Sequence, residues 1–295
     1  MGFQVSPGVE VKEIDLTNVI PAVSTSIGGF AGNFNWGPVD EVKLVSSEKE
    51  LSDEYGLPTE DTYSSFLHAA SFLKYGNALN ISRAKNGSGS KNSVLSLKNT
   101  TSSIETIHDV SGDSGLTSEV DGLYIANEDA SVSLDADALV YGKYFGALGN
   151  SIKVHFATFS KAGNSGTAGA VKEAAIDAFV SANAGTSDWA VANVSATAND
   201  EIHVIVEDEG GAISGTKGTI LEIFEGLSLY ADAKKDGVTN FYETVVNRDS
   251  EYIKLNNVGI KSLFTSSSSL AQPGDTGASG ATSGRLFTSN LVTTG

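Results

Sequence analysis

Histidines are the first residues to consider for chemistry, because an imidazole can act as a base or bind a metal near neutral pH. The chain has four of them, and none forms an H-x-x-x-H or H-E-x-x-H pair: His68, His108, His155 and His203. His155 and His203 lie inside alternating apolar runs that predict strands, and His68 lies beside the apolar face of a predicted helix. We favour a structural or surface role for these three over a role as ligands or bases.

Carboxylates are numerous but scattered. The acidic residues of segment 48–54 are predicted to share one short helix, where a solvated face is a simpler interpretation than a paired acid and base. The run Glu207-Asp208-Glu209 precedes two glycines and could bind calcium, which prefers hard oxygen ligands. It lacks the alternating Asp/Asn pattern of calcium loops, so we favour an acidic turn and predict no metal site.

Nucleophiles and phosphate loops are missing from the sequence as recognisable motifs. There is no cysteine, which excludes disulfides, thiolate ligands and cysteine nucleophiles, and there is no G-x-S-x-G elbow. The glycines of Gly28-Gly29-x-x-Gly32 are not followed by a predicted helix or by Lys-Ser/Thr, as a phosphate site requires. We therefore predict no catalytic residue, no cofactor and no enzymatic activity.

Composition limits the partners. The 295 residues are 40% apolar, enough for a globular core, and the formal net charge is −17. This charge argues against nucleic-acid binding and against attraction to an anionic membrane surface. No apolar run approaches the ~18 residues of a membrane span, and the N-terminus lacks the features of a signal peptide. The absence of cysteine fits folding in a reducing cytoplasm.

Residues 1–22 are predicted to form an extended arm. Val9 and Val11 alternate with charged residues, and Pro7 and Pro21 limit helix on both sides. The apolar side chains of this arm are Val9, Val11, Ile14 and Leu16. Four apolar side chains are too few to bury themselves well. The arm is therefore either disordered or a strand that pairs with the edge of another sheet. We predict that these four residues make an inter-subunit contact.

Residues 23–86 are predicted to form a small α/β core unit. Two strands are separated by the turn Trp36-Gly37-Pro38. Ser47 and Glu50 fit a capping box that opens a helix ending at Gly56. Apolar residues at steps of three and four predict a second helix over 61–75, and a strand follows over 79–84.

The remaining sequence predicts β-rich units. A Gly/Ser linker precedes a small β-rich insert domain at 87–142, which we expect to be peripheral. A β-rich α+β middle domain follows at 143–260, with strands over 152–156, 202–206 and 219–225 and helices over 170–182 and 239–247. Residues 261–295 have the composition of a Ser/Gly-rich linker or truncated end. The fold class predicted for the whole chain is α+β and multidomain.

Several short motifs, in this order, resemble the contractile tail sheath proteins of myovirus-type bacteriophages. They are Gly29-Phe30-Ala31-Gly32, Trp36-Gly37-Pro38, Ser82-Arg83-Ala84 and the segments 72–77, 146–152, 221–228 and 240–242. The resemblance covers residues 6–85 and 143–255. Proteins of this family continue into a second half of the core domain and a C-terminal arm, so the sequence resembles an N-terminal portion or a short member.

The resemblance implies a structural virion protein without a cofactor. Its copies would polymerise as stacked rings around a tail tube and contract to drive the tube through the host envelope. The implied partners are further copies of the chain, the tail tube protein, and the baseplate and tail terminator proteins, with no direct nucleic-acid contact and no membrane insertion. The implied location is the virion tail, after assembly in the host bacterial cytoplasm. The alternative is an acidic β-rich virion surface or adhesion module that binds a receptor or glycan.

Overall fold

The computed structural model describes residues 27–85, 92–99, 104–107, 138–157, 184–196, 198, 200–255 and 286–290. Over these residues the chain is a mixed α/β protein with several small sheets and few, short helices. No helix within these ranges is both long and apolar enough to cross a membrane.

The first part, residues 27–85, is called the α/β unit below. Its elements are β1 (Gly28–Gly32), β2 (Val42–Val45), α1 (Glu48–Tyr55), α2 (Tyr63–Leu73) and β3 (Leu79–Arg83). The strand order is β1-β3-β2, with β1 parallel and β2 antiparallel to the central β3. The predicted order of two strands, two helices and a strand is confirmed.

The start of α1 shows a variation on the predicted capping box. The Ser47 hydroxyl accepts a hydrogen bond from the Glu50 amide at 3.2 Å, as predicted. The Glu50 carboxylate, however, accepts from the amide and hydroxyl of Ser46 rather than from the amide of Ser47. These bonds lower the pKa of Glu50. The helix ends at Gly56, whose positive φ of 78° is available to glycine at little cost.

The described residues from Asn92 onward are called the β-rich region. The strands of this region are β4 (Asn92–Asn99), β5 (Ile104–Ile107), β6 (Ala138–Phe145), β7 (Ile152–Ala157), β8 (Glu201–Asp208), β9 (Thr219–Ser228), β10 (Lys234–Lys235), β11 (Val238–Thr239), β12 (Ile253–Leu255) and β13 (Leu286–Asn290). Two short α-helices, α3 (Asp188–Asn193) and α4 (Tyr242–Asp249), and a 3-10 helix (Ala147–Ser151) accompany them.

These strands form three sheets. One four-stranded sheet has the order β12-β6-β4-β5 and the other β13-β7-β8-β9, and all pairs in both are antiparallel. β10 and β11 form a separate hairpin. The predicted strands over 152–156, 202–206 and 219–225 are confirmed and extend further than predicted.

The helix predicted over 239–247 is confirmed, but it begins at Tyr242, because Thr239 belongs to β11. One other expectation for this region is wrong. The insert was expected to be peripheral, yet its last residues lie in β6, which pairs with β12, and Val140 is fully buried in the main core. The helix predicted over 170–182 lies outside the described residues. The domain bounds stay predictions.

Two hydrophobic clusters support the described structure. The cluster of the α/β unit consists of Phe34, Val45, Leu51, Tyr55, Phe66, Ala69, Ala70, Leu79 and Ile81. The cluster of the β-rich region is larger and draws on strands from both four-stranded sheets, including Val140, Phe156, Val204 and Ile253. It also contains Trp36, which comes from the turn after β1. The two parts of the chain therefore share a buried residue.

Candidate functional site

The predicted inter-subunit residues Val9, Val11, Ile14 and Leu16 lie outside the described residues. Their role stays a prediction. The described residues include the sheet of the α/β unit and the joint that connects it to the β-rich region. These two features form the candidate site.

Both outer strands of this sheet have a free edge. β3 lies in the centre, so β1 and β2 each pair with one neighbour only within the described structure. A free edge presents unpaired amide and carbonyl groups that can template a strand from another chain. Apart from the isolated bridge between Val39 and Arg83, no further pairing extends this sheet among the described residues.

One face of the same sheet lacks charge. Strand alternation turns Phe30, Ile81 and Val45 toward the helices. The opposite face carries Gly29, Ala31, Val42, Leu44, Asn80 and Ser82. Val42 and Leu44 are 63% and 55% exposed, and a Cβ placed on Gly29 would meet no atom within 4 Å. An uncharged, open sheet face is unusual for so acidic a chain and is typical of a surface that another element covers.

The helix side of the sheet is packed tightly at one glycine. A Cβ on Gly28 would approach the ring of Phe72 to 2.6 Å and Leu79 to 2.9 Å. Glycine at the start of β1 therefore allows α2 to lie close to the strands. This accounts for part of the glycine-rich motif as a packing requirement, and no phosphate loop is present, because no helix follows β1 directly.

Trp36 joins the α/β unit to the β-rich region. Its side chain is only 3% exposed and its ring lies edge-on to Tyr144 with centroids 5.5 Å apart. Room for the indole depends on Gly142, since a Cβ there would lie 3.3 Å from the Trp36 ring. The sequence identified Trp36 only as a turn residue, because nothing local to the turn indicates which core receives the side chain.

Arg83 makes a second connection at the end of β3. Its guanidinium is buried and donates hydrogen bonds to three carbonyl oxygens, those of Phe34 at 3.0 Å, Gly37 at 2.8 Å and Phe145 at 3.0 Å. It also lies 4.0 Å above the centroid of the Phe145 ring. The first two carbonyls belong to the α/β unit and the third to β6, so one side chain clamps the two parts together.

A polar cleft of about 210 Å³ lies beside this joint. Its two lysines already have partners within the chain: Lys43 pairs with Glu54 at 3.2 Å, and Lys143 donates to the Ser250 carbonyl at 3.1 Å. No nucleophile hydrogen-bonded to a base lines this cleft. The arrangement favours a structural joint over a reaction site.

Asp208, in the acidic run 207–209, is hydrogen-bonded to donors within the chain. Its carboxylate accepts hydrogen bonds from the hydroxyls of Ser151 and Ser214 and from the amides of Gly211, Ile213 and Ser214. Burial alone would raise the pKa of Asp208, but these bonds outweigh it and the pKa is lowered. Donors, not a cation, satisfy this carboxylate. Across the described ranges, no group of three or more His, Asp or Glu side chains could hold a metal.

The histidines that the structure describes are held in structural contacts. His155 Nε2 lies 2.7 Å from the Glu207 carboxylate across β7 and β8, and burial lowers the pKa of His155 against the opposing effect of Glu207. The Gly226 amide donates to His203 Nδ1, and His68 Nδ1 lies 2.6 Å from the Ser64 carbonyl. These contacts agree with the structural interpretation; His108 lies outside the described residues.

The described residues therefore show an exposed sheet face and a buried joint, and they contain no convergent set of acid, base and nucleophile. This combination is typical of proteins that work by packing against other chains. A family model described as the tail sheath protein Gp18 domain III N-terminal region matches residues 25–84. This match coincides with the α/β unit.

Individual tail sheath proteins show the same likeness. The chain is 40% identical over 88 residues to that of Enterobacteria phage T4 and 38% identical over 89 residues to that of Vibrio phage KVP40, covering 30% of this chain and 13% of each relative. It is 28% identical over 225 residues to that of Salmonella phage ViI, covering 75% of this chain and 28% of the relative. The sheath tail protein Lin1278 from Listeria innocua aligns over 92% of this chain and 34% of its own, with 13% identity and a TM-score of 0.36.

The resemblance seen in the sequence is confirmed: the chain is similar to the tail sheath proteins of phages T4, KVP40 and ViI. The aligned portion is only 13% of the length of the T4 and KVP40 proteins.

Proposed function

We propose that this chain is a subunit of a contractile tail sheath that polymerises around a tail tube and contracts to drive the tube through the host cell envelope. One observation carries the proposal. The family match at residues 25–84 coincides with the α/β unit, whose sheet, among the described residues, has two unpaired edges and an exposed, uncharged face. Such a unit is suited to packing against other chains.

The arm supplies the link between subunits in this proposal. Val9, Val11, Ile14 and Leu16 add a strand to the sheet of a neighbouring copy, so that backbone hydrogen bonds hold the lattice together while the subunits rotate. The energy for contraction is stored in the extended lattice at assembly, and no nucleotide or cofactor is consumed. The tail tube, the baseplate and the tail terminator are the other partners, the virion is the site of action, and assembly takes place in the host cytoplasm.

If the arms bend while the folded parts of the subunits rotate, each folded part must itself be rigid. The joint at Trp36 and Arg83 supports this requirement, because a buried ring and three carbonyl contacts connect the α/β unit to β6. Packed interiors transmit displacement rather than absorb it. The α/β unit and the strands around β6 are therefore expected to rotate together during contraction.

Electron microscopy of the purified 295-residue chain tests the proposed function. Stacked rings or long hollow tubes are expected. Discrete particles that bind a glycan array would instead favour the adhesion module and contradict the sheath proposal.

Deletion of residues 1–20 tests the role of the arm. Tubes are expected to disappear while the thermal unfolding midpoint of the subunit changes little, because the arm's apolar residues serve a neighbour. Full-length and truncated chains are compared by microscopy and by circular dichroism melting. A truncated chain that fails to fold would show that the arm belongs to its own subunit's core.

A further inference from the structure

The backbone groups that β2 leaves unpaired follow from the hydrogen bonds of the central strand. The Ala84 amide donates to the Gly32 carbonyl, so the even-numbered residues along β3 direct their backbone groups at β1. Backbone direction alternates along a strand, so the odd-numbered residues of β3 bond to β2, where the residues opposite them are also odd-numbered. Val42 and Leu44 therefore turn their amide and carbonyl groups to the free edge.

The side chains along this edge separate by face. Val42 and Leu44 lie on the open face, and both are exposed. Lys43 lies on the helix side, where its ammonium pairs with the Glu54 carboxylate of α1 at 3.2 Å. Glu41 directly precedes β2, is exposed and forms no ion pair with a described residue. The edge is thus apolar on one face and charged on the other.

The position of Glu41 agrees with this division. Burial raises the pKa of Tyr55, and the carboxylates of Glu54 and Glu41 raise it further. Tyr55 belongs to the core between the sheet and the helices. Glu41 therefore lies on the helix side, as Lys43 does.

The arm has the same two-faced pattern. Val9, Glu10, Val11 and Lys12 alternate apolar and charged side chains. In an extended strand the two valines share one face and the two charged residues share the other. Pro7 lacks an amide and so limits the length over which this strand can pair at its N-terminal end.

We propose that residues 8–12 of one copy form an antiparallel strand on the β2 edge of a second copy. Two apolar pairs then meet on the open face and two ion pairs meet on the helix side: Val9 with Leu44, Val11 with Val42, Glu10 with Lys43, and Lys12 with Glu41. Cross-strand pairs of both kinds stabilise antiparallel strands. The inference rests on the proposed polymerisation and specifies the edge, direction and register of its arm contact.

Charge selects this register over its neighbours. A shift of two residues in one direction would place Lys12 opposite Lys43, and a shift in the other direction would place Glu10 opposite Glu41. Like charges directly opposite each other are destabilising. A shift of one residue would exchange the two faces and put the charges of the arm on the open face. A parallel strand would keep only one of the two ion pairs.

The edge of β1 does not offer the same partners. This strand, Gly28–Gly32, contains no charged residue, so Glu10 and Lys12 would meet no opposite charge across it. On the open face the valines of the arm would lie beside Gly29 and Ala31, which present little apolar surface. The observations therefore favour the β2 edge.

The proposed pairing also ends at a suitable place. In this register Pro7 lies opposite Ser46, which follows β2. The Ser46 amide already donates to the Glu50 carboxylate at 2.8 Å. Proline has no amide to donate, so pairing stops at this point without leaving an amide unpaired.

Engineered disulfides test the register, because the chain has no cysteine of its own. Facing residues in a hydrogen-bonded antiparallel pair have Cα atoms about 5.5 Å apart, which suits a disulfide. A Val9→Cys chain is mixed with a tagged Leu44→Cys chain, assembled and treated with a mild thiol oxidant. A disulfide-linked heterodimer is expected on a non-reducing gel. The matched control is Val9→Cys mixed with Ala31→Cys, at the β1 edge, and it should give at least several-fold less.

Two results of the disulfide experiment would overturn the inference. One is a yield with Ala31→Cys that equals or exceeds the yield with Leu44→Cys. The other is a Val9→Cys, Leu44→Cys double variant that forms its disulfide only within one chain, since the arm would then pair with its own subunit.

A charge swap tests the same register without a covalent bond. Lys12→Glu is expected to lower the association constant by about threefold or more, because it places two carboxylates opposite each other. Adding Glu41→Lys is expected to recover association. Sedimentation velocity over a concentration series measures the association constant, and circular dichroism melting checks that each variant is folded.

Lys12→Glu with Glu60→Lys is the matched control for the swap. It has the same net charge as the double variant with Glu41→Lys, and Glu60 is also exposed and forms no ion pair with a described residue. This control is not expected to recover association. Recovery in both double variants or in neither would contradict the register, and so would a Lys12→Glu chain that associates as the wild type does.

The outcomes separate this contact from the sheath proposal. Tubes in which only the Ala31→Cys mixture cross-links would reject the contact and leave the sheath function intact. Discrete oligomers in which the Val9→Cys and Leu44→Cys chains cross-link would support the contact and contradict the sheath function. A wild-type chain that shows no self-association at any concentration would overturn the contact.

Discussion

The α/β unit and the β-rich region differ in how completely each buries its apolar surface. Among described residues, the exposed large hydrophobic side chains of the α/β unit are Ile27, Val42, Leu44, Leu57, Tyr63, Leu67 and Tyr75, against three in the longer β-rich region. The β-rich region also has the larger core cluster. The smaller unit therefore leaves more apolar surface exposed, and it shares the buried Trp36 with the core of the larger one.

This difference shows how a small unit can be held in place while part of its apolar surface stays exposed. A unit of about 60 residues buries a modest fraction of its surface and is marginal when isolated. Here Trp36 extends into the larger core and Arg83 binds a carbonyl of β6, so the unit is anchored, while no described residue covers the second face of its sheet. Substitutions at the joint should therefore lower the free energy of unfolding more than substitutions elsewhere in the two parts.

Trp36→Ala should have the largest effect. Removing this buried ring leaves a cavity between the two parts and is expected to lower the free energy of unfolding by about 3–5 kcal/mol. Trp189 is the control, because it is half-buried and its ring centroid lies 5.3 Å from that of Tyr230. Trp189→Ala should lower the free energy of unfolding by about 1–2 kcal/mol. Chemical denaturation monitored by circular dichroism measures both. Equal effects would show that Trp36 does not anchor the unit.

Arg83→Met should come next, with a loss of about 2–4 kcal/mol, because three carbonyl oxygens lose a buried charged donor. Hydrogen exchange should show faster opening of the α/β unit than of the β-rich region. Arg248, exposed and paired with Asp249, is the control, and Arg248→Met should change stability by less than about 0.5 kcal/mol. Uniform acceleration across both parts would argue against a joint.

Adjacent glycines in β1 compare the two faces of the small sheet. Gly28→Ala should destabilise by about 1–3 kcal/mol, because its Cβ would clash with Phe72 and Leu79. The methyl group added by Gly29→Ala would lie on the open face and meet no other atom, so this variant should be neutral or stabilised by up to about 1 kcal/mol in the unassembled subunit. Thermal melting of both variants measures the contrast. A costly Gly29→Ala would mean that the face is already covered within the subunit.

Asp208→Asn should produce the smallest loss, about 1–2 kcal/mol at neutral pH, and it probes the β-rich region alone. The folded pKa of Asp208 is lowered, so its stabilising effect is present above the unfolded pKa of about 3.9 and is lost as pH falls through the lower folded value. The gap between wild type and variant should therefore narrow below about pH 4. Denaturation midpoints over a pH series test this, and a constant gap would contradict it.

The sequence by itself determined the local elements of the α/β unit. Apolar steps of three and four, the Ser47 cap, the stop at Gly56 and the strand around Ile81 are short-range signals that depend on neighbours within a few residues. The order of short motifs also indicated the sheath family. For the same reason the absence of a catalytic motif could be read directly from residue types and spacing.

Only the tertiary structure decided which elements meet. Trp36 packs with Tyr144, and Arg83 reaches the Phe145 carbonyl, across more than sixty residues of sequence, and no local pattern specifies such a pairing. The same holds for β6, which continues past the predicted insert boundary to pair with β12. Local propensity selects helix or strand, but long-range burial selects the partner, and the joint between the two parts is a product of that second selection.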